Sequence, residues 1–334
     1  MLFIEVLKQS TDSLGPDHPH TIFASANLAA IYGRLGRYNE AEVLKVEVLK
    51  WRTESLGVNH PETILASANL AVTYSDLGRY SEAEALEVEV LEQRTRLLGV
   101  DHPDTILAST NLAATYGQLG RYSEAEVLQV EVLKQRTRLL GVDHHDTIQA
   151  SARLASIYGQ LGRYGEAEVL YAEVLKQSTK LLGVFHPHTI RASANLAAIY
   201  KKLDRCAEAE VLEVEVLRQR TKLLGTDHPD TILASANLSG TYHELGRYAE
   251  AEGLQSDVLE RRRRLLGDRH PDTLLAMWWL ASTYEGTQRI QDALGLTTKA
   301  HRGYVETLGE SHPRSLKVAA FLASLKTKQS VKSG

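Results

Sequence analysis

Apolar and polar positions along this chain follow the period of an α-helix, and the pattern changes phase at fixed places. From Val100 to Gly141, Ile106, Leu112, Ala113 and Tyr116 fall at helical spacings, which predicts an amphipathic helix. Pro103 suits its first turn, where a missing N–H costs nothing, and Asp104 puts negative charge near the positive helix end. The helix is expected to begin near His102 and to end before Gly120. Ser123 with Glu126 three residues later reads as a capping box that opens a second helix. Ala125, Leu128, Val132 and Leu139 form its expected buried stripe, Arg136 and Arg138 sit near its negative end, and Gly141 can take a left-handed stop. The stretch reads as a helical hairpin.

The hairpin recurs. Leu-Gly stands at Leu14-Gly15, Leu56-Gly57, Leu98-Gly99, Leu140-Gly141, Leu182-Gly183, Leu224-Gly225, Leu266-Gly267 and Leu308-Gly309, always 42 residues apart. A histidine follows each glycine by three residues, from His18 to His312, and all but His144 precede a proline. A tyrosine recurs from Tyr32 to Tyr284, in most copies followed by a Leu-Gly-Arg-Tyr turn such as Leu119 to Tyr122. This accounts for the odd composition, in which 14 aromatics are Tyr against 4 Phe and 3 Trp.

Cut by the period, residues 1–15 read as the second helix of a truncated repeat, because Met1 to Gly15 aligns with Val43 to Gly57. Seven hairpins follow, at 16–57, 58–99, 100–141, 142–183, 184–225, 226–267 and 268–309. Residues 310–326 supply a C-terminal capping helix and 327–334 a polar tail. A solenoid needs polar terminal caps. A start inside a second helix therefore points to a piece of a longer array, or to self-association through the truncated N-terminal helix. The near identity of the second to sixth units predicts equal stacking and roughly additive stability.

Charge removes several function classes. The 334 residues carry 38 Lys+Arg against 42 Asp+Glu, a net charge of -4, without the basic excess that nucleic acid or an acidic membrane would select. No apolar run nears the roughly 18 residues of a membrane span, and the first residues lack a signal core. With one cysteine, Cys206, there is no intramolecular disulfide, and a cytoplasmic location is expected.

Ala113, Tyr116, Gly120, Tyr122, Glu124, Ala125 and Val132, in that order, resemble the small-Tyr-Gly-Tyr-Glu-Ala-small pattern of the tetratricopeptide repeat (TPR). The 42-residue period and the Leu-Gly-x-x-His-Pro-x-Thr linker resemble the repeats of kinesin light chains, and similar arrays occur in fungal and bacterial nucleotide-binding STAND receptors. The resemblance implies an all-α, right-handed superhelical TPR solenoid of antiparallel hairpins, about 16 helices in all. It also implies that the first helices line a concave groove that holds extended peptides.

Helical spacing from Tyr116 puts Leu107, Asn111, Ala114 and Gln118 on one exposed stripe. Read across copies, the second column holds Asn27, Asn69, Asn111, Asn195 and Asn237, with Arg153, Trp279 and Phe321 in the fourth, seventh and eighth copies. Asparagine is not a helix-propensity choice, and an amide can pair with the backbone of any extended peptide. The competing reading has these amides bonding neighbouring helices. The adjacent column reads Phe23, Leu65, Leu107, Gln149, Arg191, Leu233, Leu275 and Lys317, offering pockets for partner side chains. Arg153, Arg191, Lys201 and Lys202 are expected to gather into a basic centre for an acidic or phosphorylated partner residue.

Catalytic and metal chemistry find no footing. The linker histidines read as helix caps, one per unit, and the His18/His20 and His186/His188 pairs lack further ligands. His243-Glu244 opens like a zinc-protease helix, but Arg247 stands where the second histidine is needed. No phosphate-binding Gly-rich loop occurs, and Cys206, in the column of Tyr122, reads as a small buried hydrophobe. The seventh unit departs from the others through Trp278, Trp279, Thr287, Gln288, Ile290 and Gly295, as a terminal cap does. The expected function is a non-catalytic interaction scaffold, without metal or cofactor, that binds a protein or peptide segment. The alternative is the sensing or oligomerisation arm of a nucleotide-binding receptor whose switch domain is not in this chain.

Overall fold

Eight histidines set where the first helix of each hairpin begins. In the computed structural model, which describes residues 2–333, His102 Nδ1 accepts the backbone N–H of Asp104 at 3.2 Å, closing one of the open donors of the helix that starts at Pro103. His18, His60, His144, His186, His228, His270 and His312 make the same bond. His144 does so without a following proline, so the cap lies in the imidazole itself.

The turn inside each hairpin is equally regular. The Arg121 N–H reaches the Tyr116 carbonyl at 2.8 Å and the Gly120 N–H that of Gly117 at 3.1 Å, the paired bonds of a Schellman stop, with Gly120 at φ +75°. In two turns Asp204 and Gln288 hold this left-handed conformation instead, at φ +59° and +65°. Gly141 ends the second helix at φ 87°, ψ 165°, an extended positive-φ conformation that suits glycine and differs from the expected left-handed helical stop.

The described residues contain sixteen helices and no strands, and they divide into two compact units, 1–163 and 164–334. The first unit holds α1 (Leu2–Leu14), α2 (Pro19–Arg34), α3 (Tyr38–Leu56), α4 (Pro61–Asp76), α5 (Tyr80–Leu98), α6 (Pro103–Gln118), α7 (Tyr122–Leu140) and α8 (His145–Gln160). The second holds α9 (Tyr164–Leu182), α10 (Pro187–Lys202), α11 (Cys206–Leu224), α12 (Pro229–Glu244), α13 (Tyr248–Leu266), α14 (Pro271–Gly286), α15 (Ile290–Leu308) and α16 (Pro313–Ser333). Within each unit every helix packs on the next in sequence.

The core is a chain of small clusters, each drawn from three helices. Ile22, Val48 and Ala66 form one, Ile64, Val90 and Ala108 the next, and Ile106, Val132 and Ala150 a third. In the second unit Ile190, Val216 and Ala234 repeat the arrangement. In the larger cluster at its end, Ile232, Val258 and Ala276 join Leu274, Ala300, Tyr304 and Val318. Each cluster takes its isoleucine and valine from one hairpin and its alanine from the next. In the last cluster helix contact is tightest at Gly303, where an added Cβ would stand 2.4 Å from Leu274, and the neighbouring Tyr304 is buried with its hydroxyl on the Pro271 carbonyl.

Three local expectations are corrected. The Ser123/Glu126 capping box is not formed. α7 begins at Tyr122, so Ser123 lies inside the helix and Arg121 stands at the N-cap with no side-chain cap bond, while Glu126 accepts from Arg163 at 2.7 Å. Leu139 is 48% exposed, since the buried stripe of α7 runs through Ala125, Gln129, Val132 and Gln135 and stops a turn before the helix does. α16 continues past residue 326 into the expected polar tail. No Gly or Pro interrupts 327–333, and Lys328 pairs with Glu285 at 2.5 Å.

Because Ile106 fills a three-helix cluster, Ile106→Ala is expected to cost about 2–4 kcal/mol, read by urea unfolding followed by circular dichroism. A loss below about 1 kcal/mol would contradict the shared-core description.

Candidate interaction face

The predicted binding columns lie on the first helices. Leu65, Leu107 and Leu233 are 42%, 47% and 46% exposed, which is unusual for leucines repeated at one position and leaves apolar surface open to a partner. Asn69 and Asn237 are exposed, while Asn27 and Asn111 are half-buried. The side-chain amides of these four have no partner among the described residues. Asn195 differs, donating to the Tyr171 hydroxyl at 3.3 Å. One member of the ladder therefore serves packing, as the competing reading allowed.

Within the second unit, the basic residues expected at one centre are spread along a single helix. Arg153 lies on α8 in the first unit, whereas Arg191, Lys201 and Lys202 lie on α10 in the second. Arg191 and Lys201 are ten residues apart, about 15 Å along the helix. Lys201 is half-buried with its Nζ 3.6 Å from Glu244, so its charge is balanced within the chain. Arg191 and Lys202 remain exposed. Helical rise separates residues that a list of cations groups together.

Cavities open beside these columns. Arg153 lines one of about 330 Å³ with Thr110, Ala114, Gln118 and Gln129. Asn69 lines a smaller one of about 110 Å³ with Lys45 and Arg52. In the second unit Lys201, Leu233, Asn237 and Trp279 meet around a third of about 190 Å³. The other candidates, Asn27, Leu65, Leu107, Asn111, Asn195, Arg191 and Lys202, line none of these three.

Beneath the face runs a polar column that the sequence reading passed over: Lys45, Glu87, Gln129, Tyr171, Glu213, Gln255 and Thr297, one per second helix. All but Lys45 are buried. Lys45 donates to the Asn69 carbonyl at 2.9 Å and to Thr73 Oγ1 at 2.6 Å. Gln129 donates to the Ala150 carbonyl, and Thr241 donates to Glu213 at 2.5 Å. Burial pushes the Glu87 and Glu213 carboxyls above the usual range, partly offset by the Thr115 and Thr241 hydroxyls, and it pulls the Lys45 ammonium down. The signal was available. Glu87 lies four residues after Ala83 and three before Val90, on the buried side of its helix.

On the hairpin turns, Arg121 lies 4.4 Å over the Tyr116 ring, bonds Glu124 and reaches Glu84 of the preceding hairpin at 2.6 Å. Arg79 repeats this with Tyr74, Glu82 and Glu42, and Arg247 with Tyr242, Glu250 and Glu210. The carboxylates hold these guanidinium groups firmly charged. Cys206 is half-buried rather than buried, with its thiol on Glu244 at 3.4 Å. Burial first, then the adjacent carboxylate, push the thiol above its ordinary range, away from thiolate chemistry. Among the described residues no group of three or more His, Cys, Asp or Glu could hold a metal, and no helix is long and apolar enough to cross a membrane.

Tetratricopeptide repeat models match residues 23–96 and 146–222, and a second such model matches 105–146 and 231–272. The chain belongs to the tetratricopeptide repeat family. No curated protein sequence matches it. Among solved structures, a kinesin light chain-like protein of Podosopora anserina with nearly identical TPR-like repeats is 26% identical, with a TM-score of 0.56 over 62% of this chain and 98% of that one. A STAND protein with a tetratricopeptide repeat sensor from Pyrococcus horikoshii is 12% identical, with a TM-score of 0.65, and matches 98% of this chain but 49% of its own length. A Rap protein complexed with competence and sporulation factor is 12% identical, with a TM-score of 0.52 over 92% of this chain and 98% of that one. The TPR fold is characteristically a protein-interaction scaffold, and the all-α architecture agrees with that reading.

Glu87→Gln and Glu213→Gln are expected to stabilise this TPR chain near neutral pH. A raised carboxyl contributes stability below its unfolded value that is lost as pH rises through its folded value, so the charged form is a burden at about pH 7. Gln removes the burden, and the advantage should shrink toward about pH 4. Urea unfolding at the two pH values checks this; a variant less stable than the parent at neutral pH would refute it.

Proposed function

We propose that this chain is a non-catalytic TPR scaffold that holds an extended segment of a protein partner against its first-helix face. The observation that carries the reading is the repeated pairing of an unpartnered amide with an exposed leucine. Asn69 with Leu65, Asn111 with Leu107 and Asn237 with Leu233 stand one turn apart on the first helices α4, α6 and α12. The amides suit the backbone of an extended peptide, and the leucines suit alternate side chains. An exposed Arg191 in the second unit offers a guanidinium to an acidic side chain of the same partner.

The alternative is a sensing arm of a nucleotide-binding receptor. The STAND protein, whose TPR sensor gives that structure its name, matches nearly the whole of this chain with half of its own. At that identity the support is for fold alone. Both readings use the same face, and they differ in what adjoins the array.

Peptide display against the intact chain is the direct test. Selected peptides should bind Asn69→Ala and Asn111→Ala each about five- to tenfold more weakly, the equivalent of one lost hydrogen bond to the peptide, with helical content unchanged. Those selected with an acidic residue should weaken further on Arg191→Glu. Affinities indifferent to both asparagine changes would remove the ladder from the mechanism.

A further inference from the structure

The cavity of about 190 Å³ in the second unit differs from the equivalent places in other hairpins by three residues that all face it. Gly240 stands where the other copies carry Ala30, Val72, Ala114, Ser156, Ala198 and Ser282, so one wall lacks a side chain. Trp279 replaces the asparagine of the ladder, with 47% of its surface exposed. Lys201 stands where the preceding hairpins carry Gly33, Ser75, Gly117 and Gly159, and its Nζ lies 3.4 Å from where a Cβ on Gly240 would stand. The loss of one side chain and the gain of two larger ones shape a pocket at this hairpin.

Gln255 is part of its lining, 3% exposed, with neither Nε2 nor Oε1 hydrogen-bonded. Its counterpart Gln129 donates to the Ala150 carbonyl, and Glu213 bonds Thr241. Gln255 therefore holds a donor and an acceptor unmet in the interior, a costly state for both groups. Its terminal torsion is soft, so the amide can turn to a group entering the pocket. Leu233, Ala236, Val258, Leu275 and Ala276 give it apolar wall, and Asn237, Ser239 and Arg262 line it too, the Arg262 guanidinium donating to the Asp272 carbonyl at 2.9 Å. The charges of Lys201 and Glu244 at one end are paired with each other at 3.6 Å.

These features choose the occupant. A carboxylate would meet Nε2 and leave Oε1 facing another acceptor; an ammonium would do the reverse. A primary carboxamide supplies one acceptor and one donor side by side, which matches both atoms of Gln255 at once. It carries no charge to desolvate, and its aliphatic stem suits the leucine and valine walls. We propose that this pocket receives the carboxamide side chain of a glutamine or asparagine in the partner segment, with Trp279 flanking its entrance. The inference rests on the proposed binding of an extended segment by this face and adds the side chain that this hairpin selects.

The test is peptide display on the intact chain and on three variants. The parent chain should enrich Gln or Asn at one fixed position. Gln255→Glu is tolerated by the column, where Glu213 and Glu87 stand naturally, and should erase the preference while leaving helical content unchanged. Gly240→Val, which refills the wall as Val72 does, should erase it too. In one selected peptide, norleucine in place of the carboxamide should weaken binding to the parent at least about tenfold and binding to Gln255→Leu about equally for both peptides. Peptides selected without a carboxamide preference, or a preference that survives Gln255→Glu, would overturn this inference and leave face binding standing. Failure to select any peptide would overturn both.

Discussion

A hairpin of this sequence cannot close its own core. Each isoleucine and valine pair, such as Ile64 with Val90, is completed by an alanine of the next hairpin, here Ala108. That dependence explains why one pattern is copied along the chain, since any unit that lost its register would expose the cluster of its neighbour. The third partner is small, which lets the next helix approach closely where a larger side chain would hold it off. It also confines burial to one side of each first helix and leaves the other side available for recognition.

Around this apolar chain runs a polar layer with three different energetic weights. The histidine caps close helix donors at eight starts, meeting backbone N–H groups that the helix itself leaves open. The arginines of the hairpin turns join neighbouring hairpins, as Arg121 does with Glu84. Their side chains are more than a third exposed, so solvent screens these pairs and they add little to stability. Their value lies in orientation, because each arginine also covers its tyrosine ring. The buried column from Glu87 to Gln255 has the opposite character. It sits in the interior, where an unmet group is expensive. The scaffold tolerates it where a threonine, a carbonyl or an asparagine answers it, and Gln255 is the member with no such answer.

The same scaffold thus carries different chemistry at successive hairpins. Asn69, Asn111 and Asn237 repeat a neutral amide, while Arg153 and Trp279 break the repetition with a cation and an aromatic ring. Because the helix starts, turns and core triads do not change, such replacements alter what the face selects without altering where it lies. Gly240 and Lys201 show the further step, in which a change on one first helix makes room for a side chain from another.

Periodicity alone determined the helices, the turns, the histidine caps and the face on which the leucine and asparagine columns stand. Those features depend on residues close in the chain, where spacing and local backbone geometry decide the outcome. Tertiary structure decided the rest. Glu126 leaves its local cap for Arg163, one hairpin on, and Lys201 is neutralised by Glu244 of the following hairpin. Asn195 turns to Tyr171, and Gln255 meets no partner at all. In the first three cases the deciding atom lies roughly 20 to 40 residues away in the chain, and whether two such side chains meet, or as at Gln255 do not, is settled by the packing of helix on helix.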